Sequence, residues 1–257
     1  MAKSTKKNKS MKKKKSINNI TKENAYKKYL EKNKNKIFEY GFMKKKCDMW
    51  GKKPFTKNLD VQEDFLKEVF HKYKSNNITK HVFIKVKLLD SFYSTNLKEG
   101  LDDMVKNITK VKNFNVLPKG NPVKLVNKIK NVKSTLHDTK ECISFASKYC
   151  NRCNEKGFPI YDKYVKQMLY LIDRAKPFYC KESASDETDE KPSSKKSIKH
   201  LSMNEIDSYK GYKCAVDKFI KKFNDENGKG EKMNYKQFDR YLWTWAKEIL
   251  YNLNKTR

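Results

Sequence analysis

The sequence predicts an all-α fold, a globule of about eight or nine helices preceded by a disordered basic tail. Three observations predict this fold. Apolar residues recur at steps of three and four along most of the 257 residues, as they do on the buried face of a helix. The alternation of apolar and polar residues that marks half-buried strands is absent from the sequence. A hydrophobic fraction of 37% is too high for a wholly disordered chain.

Composition divides the chain into four parts. Residues 1–20 are rich in lysine and have almost nothing to bury, so we expect them to form the disordered tail. Residues 21–180 form the predicted main helical domain. Residues 181–203 carry an acidic block followed by proline and serines, which is typical of a solvated loop. Residues 204–257 are expected to supply C-terminal helices that pack on the main domain.

The first predicted helices belong to the main domain. Residues 60–73 and 97–108 each place apolar side chains on one helical face. The segment 79–94 is apolar on more than one side, which suits either a buried central helix or a strand, and its length favours a helix. Asn121 followed by Pro122 is a strong start signal, because asparagine caps a helix and proline fits its first turn.

Two aspartates are predicted to begin later helices. Asp138 is expected to cap a helix that carries apolar residues from Cys142 to Cys150, and Asp162 to open the next one. A further helix is predicted over residues 204–223 after the acidic loop.

The last predicted helix, over residues 234–253, contains two tryptophans. Trp243 and Trp245 are two positions apart, so their side chains leave a helix in different directions. We therefore expect one of them in the core and the other partly exposed. Stacking on nucleic-acid bases is the alternative use of the exposed one.

The charge of the chain indicates a polyanionic partner. The 60 basic residues against 30 acidic ones give a formal net charge of +30. Only four are arginine, the residue that reads base edges with a planar fork, so the lysines favour contact with phosphate over sequence reading. Part of the lysine excess also fits an AT-rich codon bias. The charge therefore indicates a phosphate-bearing polyanion, but it does not identify which one.

Targeting features and cofactor motifs are not evident in the sequence. No stretch approaches the roughly 20 apolar residues that a membrane span needs, and the lysine-rich start does not look like a secretory signal. An intracellular, cytoplasmic location is therefore expected. Cys150 and Cys153 have the spacing of half a zinc knuckle, but no second pair follows, so free thiols are predicted and neither a metal nor a cofactor.

The segment from Ser144 to Val165 carries a resemblance to a known family. It predicts a helix, a short polar loop and a tight apolar entry fixed by Pro159, followed by Asp162 at the start of a new helix. The segment resembles the surroundings of the catalytic aspartate in the helix-hairpin-helix DNA glycosylase superfamily, which read roughly P-x-x-D-x-x-V. Ala146 precedes Asp162 by sixteen residues, as an alanine does in that family. Residues 86–96 and 238–243 also look like parts of uncharacterised bacterial proteins that share this core.

The resemblance implies a site at which a flipped nucleotide loses its base. Asp162 is the implied catalytic residue, which stabilises positive charge on the sugar or orients an attacking water. The segment 138–147 would hold a phosphate through backbone N–H groups at a helix start. The implied partner is DNA, bound through its phosphate backbone and largely without sequence specificity. The residues implied in binding it are Ser144, Ser147, Lys148, Lys140 and Lys163. Tyr161 and Tyr164 would line the base pocket.

The sequence departs from the family pattern at the hairpin. The family has glycines there, whereas residues 135–144 contain none, and the position of the family's Schiff-base lysine falls on Ser144. A combined glycosylase and lyase reaction would lack its nucleophile, but hydrolysis by water would survive the change. Two structural alternatives also remain: Asp162 as a plain helix cap, and Lys148 on the solvated side of its helix.

Two other functions remain open at this stage. The first is a non-catalytic helical module that binds nucleic acid or a protein partner, motivated by the missing glycines and lysine. The second is a basic protein held at anionic membrane surfaces by its N-terminal tail.

Overall fold

The structure of the chain is a computed structural model, and it describes residues 21–95, 97, 100–111, 121–133, 139–179, 200–228 and 230–255. The tail predicted at residues 1–20 and most of the predicted acidic loop lie outside these residues. Within the described part of the chain, no helix is long and apolar enough to cross a membrane.

The described residues are mostly helical, which confirms the predicted all-α fold. The helices are α1 (residues 21–33), α2 (Tyr40–Cys47), α3 (Leu59–Lys72), α4 (Thr79–Tyr93), α5 (Leu101–Thr109), α6 (Pro122–Ile129), α7 (Ile143–Cys153), α8 (Lys163–Ala175), α9 (Met203–Asp207), α10 (Tyr209–Asn227) and α11 (Tyr235–Lys255). A short 3-10 turn, Lys34–Lys36, follows α1. Two short strands, β1 (Asn131–Val132) and β2 (Lys140–Glu141), pair antiparallel between α6 and α7.

Several predicted starts and element types are confirmed. Residues 79–93 form a helix, not a strand. The Asn121 side chain caps α6 by accepting hydrogen bonds from the backbone N–H groups of Val123 and Lys124. Asp162 is the N-cap of α8. Trp245 is 1% exposed whereas Trp243 is half-buried, as their spacing predicts.

The helix predicted to begin at Asp138 begins later, at Ile143. Asp138 itself lies outside the described residues, but Lys140 and Glu141 form β2, so the prediction of a helix through them was wrong. The reason is cross-strand pairing: Asn131 lies opposite Glu141, and the Cys142 N–H donates to the carbonyl of Lys130 at 2.7 Å.

The helix predicted over residues 204–223 is two helices that meet at Ser208. The extended backbone of Ser208 ends α9, and its hydroxyl caps α10 by accepting from the N–H of Gly211. Glycine is required at position 211, because a Cβ there would lie 1.8 Å from the carbonyl oxygen of Glu205. The two helices can therefore turn sharply against each other.

The last helix packs across the middle of the fold and helps to form the candidate site. α11 contacts α2 and α8, while α10 contacts α6, α8 and α9. α7 packs against α3, α4 and α6. α11 thus lies against both α2 and α8, the helix whose start contributes to the candidate site, and α3 and α4 lie against α7.

A buried lysine lies in the core beside α7. Lys85 is 1% exposed, and its ammonium donates to the Asn76 side chain at 2.5 Å and to the Ser75 carbonyl at 3.3 Å. The ammonium also lies over the rings of Phe70 and Tyr149, at 5.3 and 5.5 Å from their centroids. Burial lowers the pKa of Lys85 to about 8. The charge is thus held by dipoles and rings, and no described carboxylate pairs with it.

We expect Lys85→Met to raise the free energy of unfolding at pH 7 by about 1–2 kcal/mol, because the charged form is penalised in the folded state. The folded-state pKa is below the unfolded value, so the penalty is fully present below pH 8 and fades as the pH rises toward 10. Denaturant unfolding at pH 7 and pH 10 measures both effects. The variant should be more stable than the wild type at pH 7, and the difference should shrink at pH 10. A less stable variant at pH 7 would contradict the prediction.

Candidate functional site

An open cleft of about 500 Å³ lies between α11, α7, the start of α8, the start of α3 and the end of α4. Six charged side chains line it: Glu63, Lys148, Asp162, Lys163, Asp239 and Lys247. Six aromatic side chains line it as well: Trp50, Phe92, Tyr93, Tyr161, Tyr164 and Trp243. This combination of apolar walls and a few convergent polar groups is typical of a ligand site.

Asp162 both caps a helix and lines the cleft. Its Oδ1 accepts a hydrogen bond of 2.8 Å from the N–H of Tyr164, as an N-cap does. Its Oδ2 lies 3.8 Å from the ammonium of Lys148, and the side chain is 17% exposed. The two interpretations of this residue, cap and site residue, are therefore compatible, because the cap occupies one carboxylate oxygen and leaves the other on the cleft side.

Lys148 lies inside the cleft wall. It is 5% exposed, so the alternative that placed it on the solvated side of α7 was wrong. Its ammonium donates to the hydroxyl of Ser144 at 2.7 Å and lies 5.3 Å from the ring centroid of Tyr93. Burial lowers the pKa of Lys148, and the nearby charge of Asp162 opposes that effect. The lysine is thus a fixed neighbour of Asp162 and not a free surface cation.

Asp239 brings a second carboxyl group to the cleft from α11. Its Oδ1 is buried and has no hydrogen-bond partner among the described residues. Burial raises the pKa of Asp239 to about 8, the negative charge of Asp162 adds to the rise, and Lys148 opposes it. Near neutral pH this side chain is therefore mostly a neutral acid with a proton to donate.

Glu63, which lines the cleft, is also the centre of a cluster of charges. Glu63 of α3 forms ion pairs with Arg152, at 3.5 Å, and with Arg240. Arg152 also donates to the hydroxyl of Tyr93 and lies 3.8 Å from Glu155. Three helices are joined through Glu63, which fixes the side of the cleft that faces Asp239.

Aromatic rings and cations alternate at the mouth of the cleft. The rings of Trp50 and Trp243 meet edge to face, with centroids 5.3 Å apart. The ammonium of Lys247 lies 4.1 Å from the ring centroid of Tyr164 and 5.0 Å from that of Trp243. Arg240 lies over Trp50 at 5.3 Å. Such surfaces suit planar or anionic groups, because they offer π-faces and positive charge together.

The backbone that forms one rim of the cleft is conformationally unusual. Ser94, which ends α4, has a left-handed φ of 47°, an uncommon value for a residue other than glycine. Asp90 holds the chain that follows by accepting from the hydroxyl of Thr95 at 2.5 Å and from the N–H of Leu97 at 3.1 Å. Residues in such conformations are concentrated at binding and catalytic sites.

Six of the eight residues predicted for the site line this cleft. They are Ser144, Lys148, Tyr161, Asp162, Lys163 and Tyr164. Tyr161 and Tyr164 are half-buried on the two sides of Asp162. The spacing in the segment therefore indicated a set of neighbours correctly, although no contact with DNA follows from it.

Two predicted DNA contacts need correction. Ser147 is completely buried, and its hydroxyl accepts from the N–H of Tyr161 at 2.9 Å and donates to the carbonyl of Ser144 at 3.0 Å. It cannot reach a ligand, because it holds the entry of α8 against α7. Lys140 lies on β2 and does not line the cleft.

No role was predicted for Asp239, Glu63 or Trp50. Asp239 lies within the 238–243 segment that carried part of the resemblance, but nothing in that pattern shows which side chains meet Asp162. The available signal was the helical spacing of Asp239, Trp243 and Lys247, which places them on one face of α11.

The described cysteines are free thiols: Cys47, Cys142, Cys150, Cys153 and Cys214. Cys180 lies outside the described residues. Among the residues that the structure describes, no group of three or more His, Cys, Asp or Glu side chains is arranged to hold a metal ion.

Two comparisons with known proteins found similarity. Residues 42–157 match the model of a family described as HI_0787_N, an N-terminal domain. The chain is also 27% identical over 168 residues to a protein of Haemophilus influenzae described as uncharacterised, and the aligned part is 65% of this chain and 67% of that protein. No solved structure matches the chain significantly. The family match covers α2 to the end of α7, which includes Glu63, Ser144 and Lys148, and it ends before Asp162.

Proposed function

We propose that this chain binds DNA and removes a base from a nucleotide that is extruded into the cleft. One observation carries the proposal: Asp162 presents a partly desolvated carboxylate in an open cleft whose walls are aromatic. A base must leave the duplex before an enzyme can reach its glycosidic bond, and it needs a planar apolar surface to replace the lost stacking.

Asp162 would act on the sugar. As the bond between C1′ and the base breaks, its electron pair goes to the base and positive charge develops on the sugar ring. The Oδ2 atom of Asp162, which is not used by the helix cap, would stabilise that charge in a setting of reduced solvent. A water molecule then attacks C1′ and loses a proton, which gives an abasic sugar and the free base. Ser144 stands where the helix-hairpin-helix DNA glycosylases that this segment resembles have a lysine. A serine at this position agrees with hydrolysis by water.

The mouth of the cleft would hold the nucleic acid. Trp243 and Tyr164 would stack on a base after the ammonium groups of Lys247 and Lys163, which lie over their rings, have moved to a phosphate. Stacking on an aromatic ring is worth about 1–3 kcal/mol per base and tolerates any sequence. The net charge of +30 would supply further affinity along the backbone.

The direct test is release of a base under single-turnover conditions. The protein, in excess, is incubated with duplexes that each contain one oxidised, alkylated or deaminated base, and the free base is measured by mass spectrometry. Release from at least one duplex, with an abasic site left behind, supports the proposal. No release from any of them would reject the catalytic part.

The second candidate is a non-catalytic module that binds nucleic acid. It is favoured by the two-stranded connection between α6 and α7 and by the use of Asp162 Oδ1 as a helix cap. This function predicts that the wild type and Asp162→Asn bind a duplex equally well and that neither protein releases a base. Base release by the wild type alone would reject it.

A further inference from the structure

Asp239 differs from the other acidic residues of the cleft because no cation is committed to it. Glu63 pairs with Arg152 and Arg240, and Asp162 lies 3.8 Å from Lys148. No salt bridge with Asp239 is found among the described residues, and its buried Oδ1 has no hydrogen-bond partner there. A carboxyl oxygen that is removed from water without a partner is costly to ionise. The Asp239 side chain as a whole is partly exposed and lines the cleft, where a ligand would meet it.

The charges around Asp239 come from three helices and the start of a fourth. Asp162 faces it from the start of α8 and Glu63 from α3, and both disfavour its ionised form. Lys148 and Arg152 of α7 lower the pKa of Asp239, but their effect is weaker than that of burial, which raises it. On its own helix, Arg240 is directed to Glu63. The balance keeps the pKa of Asp239 near 8, so the side chain is mostly protonated at neutral pH.

We propose that Asp239 is the proton donor of the reaction and protonates the departing base while Asp162 stabilises the sugar. This assignment rests on the function proposed above. The electron pair of the broken C1′–N bond goes to the base, and a ring nitrogen of the base takes the proton of Asp239. The water that attacks C1′ loses a proton, which returns Asp239 to its acid form. The sum is the addition of one water to one nucleotide, and no further reactant is needed.

Asp162 is less suited to donate the proton. One of its oxygens accepts from the N–H of Tyr164, and the other faces the ammonium of Lys148. Both oxygens of Asp162 are therefore engaged with donors, whereas Oδ1 of Asp239 has no partner among the described residues. The two carboxyl groups of the cleft thus differ in their surroundings and can take different roles.

The division of roles predicts which bases depend on Asp239. Hypoxanthine leaves as an anion unless it is protonated, so its release needs a proton donor. The nucleotide of 7-methylguanine already carries a positive charge on its base, and that base leaves as a neutral molecule without a proton. The two leaving groups thus separate proton donation from every other contribution of the site.

The experiment compares single-turnover release of both bases from duplexes by the wild type and by Asp239→Asn. Asparagine has the shape and charge of the protonated aspartate, so the variant should fold and bind as the wild type does. We expect hypoxanthine release to fall at least about 100-fold and 7-methylguanine release to change by less than about threefold. In the wild type, hypoxanthine release should decline above pH 8, and this decline should be absent from the residual rate of the variant. Asp225→Asn, an exposed position of α10, is the matched control and should leave both rates unchanged.

The outcomes separate the two proposals. If the wild type releases hypoxanthine and Asp239→Asn does so equally fast, proton donation by Asp239 is rejected and the proposed function stands. If Asp239→Asn releases both bases more slowly by the same factor, the residue has a structural role, and proton donation by Asp239 is also rejected. Release of 7-methylguanine alone by the wild type rejects it too, because that base needs no donor. If the wild type releases neither base nor any other from the panel, the proposed function fails, and the role of Asp239 fails with it.

Discussion

Replacing Asp162 by asparagine should reduce release of every base by at least about 100-fold, because the positive charge on the sugar loses its counter-charge. The substitution is informative because asparagine caps helices about as well as aspartate does, so α8 should start unchanged. We expect a loss of stability of about 3 kcal/mol, because buried Lys148 loses its counter-charge while the helix cap is kept. Rates come from single-turnover release and stability from denaturant unfolding.

The pattern across bases distinguishes this variant from Asp239→Asn. Asp162→Asn should slow hypoxanthine and 7-methylguanine alike, since both leave a positively charged sugar. Removing its charge should also lower the pKa of Asp239, because Asp162 helps to raise it. The control is again Asp225→Asn. Wild-type rates in Asp162→Asn, with α8 intact, would show that Asp162 is only a cap.

Replacing Asp173 by asparagine should lower the free energy of unfolding by about 3 kcal/mol. The Asp173 side chain is 1% exposed, and only donors surround it. Its Oδ1 accepts from the N–H groups of Phe178 at 3.0 Å and Tyr179 at 2.8 Å. Its Oδ2 accepts from the N–H of Leu201 at 2.7 Å and lies 3.2 Å from Nδ1 of His200. Either orientation of an asparagine would direct its NH₂ group at donors.

The hydrogen bonds of Asp173 hold the residues on either side of segment 180–199. Phe178 and Tyr179 precede that segment, and Leu201 follows it. Asp173 joins these two sides to each other and to α8, whose N-terminal end carries Asp162. Urea unfolding of Asp173→Asn, with Asp225→Asn as the exposed control, measures the loss. A change below about 1 kcal/mol would contradict the role given to these hydrogen bonds.

Local patterns in the sequence predicted much of the helical fold. The Asn121–Pro122 start and the Asp162 cap depend on neighbouring residues only, and both are confirmed. Segment 79–94 was ambiguous in periodicity, and its length correctly favoured a helix. The start of α7 was predicted wrongly at Asp138, because β1 and β2 pair residues that are eight or ten positions apart, such as Asn131 and Glu141, and this pairing leaves no signal in helical spacing.

The candidate site was predictable only where it is local in sequence. Tyr161, Asp162 and Tyr164 are neighbours in the chain. The pattern of segment 144–165 therefore predicted that they lie together, and they do line the same cleft. Asp239 enters the cleft from a helix that begins 73 residues after Asp162 (235 − 162), and Glu63 meets Arg240 across 177 positions. These long-range contacts depend on how α11 packs against α8 and α3. The spacing of apolar residues within one helix does not predict how two helices pack. The burial of Lys148 could not be predicted for the same reason. Its position in the helix is equally compatible with a solvated face and with the wall of a cleft.

The central claim, that Asp162 faces a positively charged sugar, has a test that does not require the identity of the base. Duplexes are prepared with a single cationic pyrrolidine ring or a single neutral tetrahydrofuran ring in place of the sugar, and their affinities are measured at equal salt concentration. Groups that resemble a transition state bind more tightly than neutral ones. The wild type should bind the cationic duplex at least about tenfold more tightly, and Asp162→Asn should bind both equally. Equal affinity of the wild type for the two duplexes would contradict the claim.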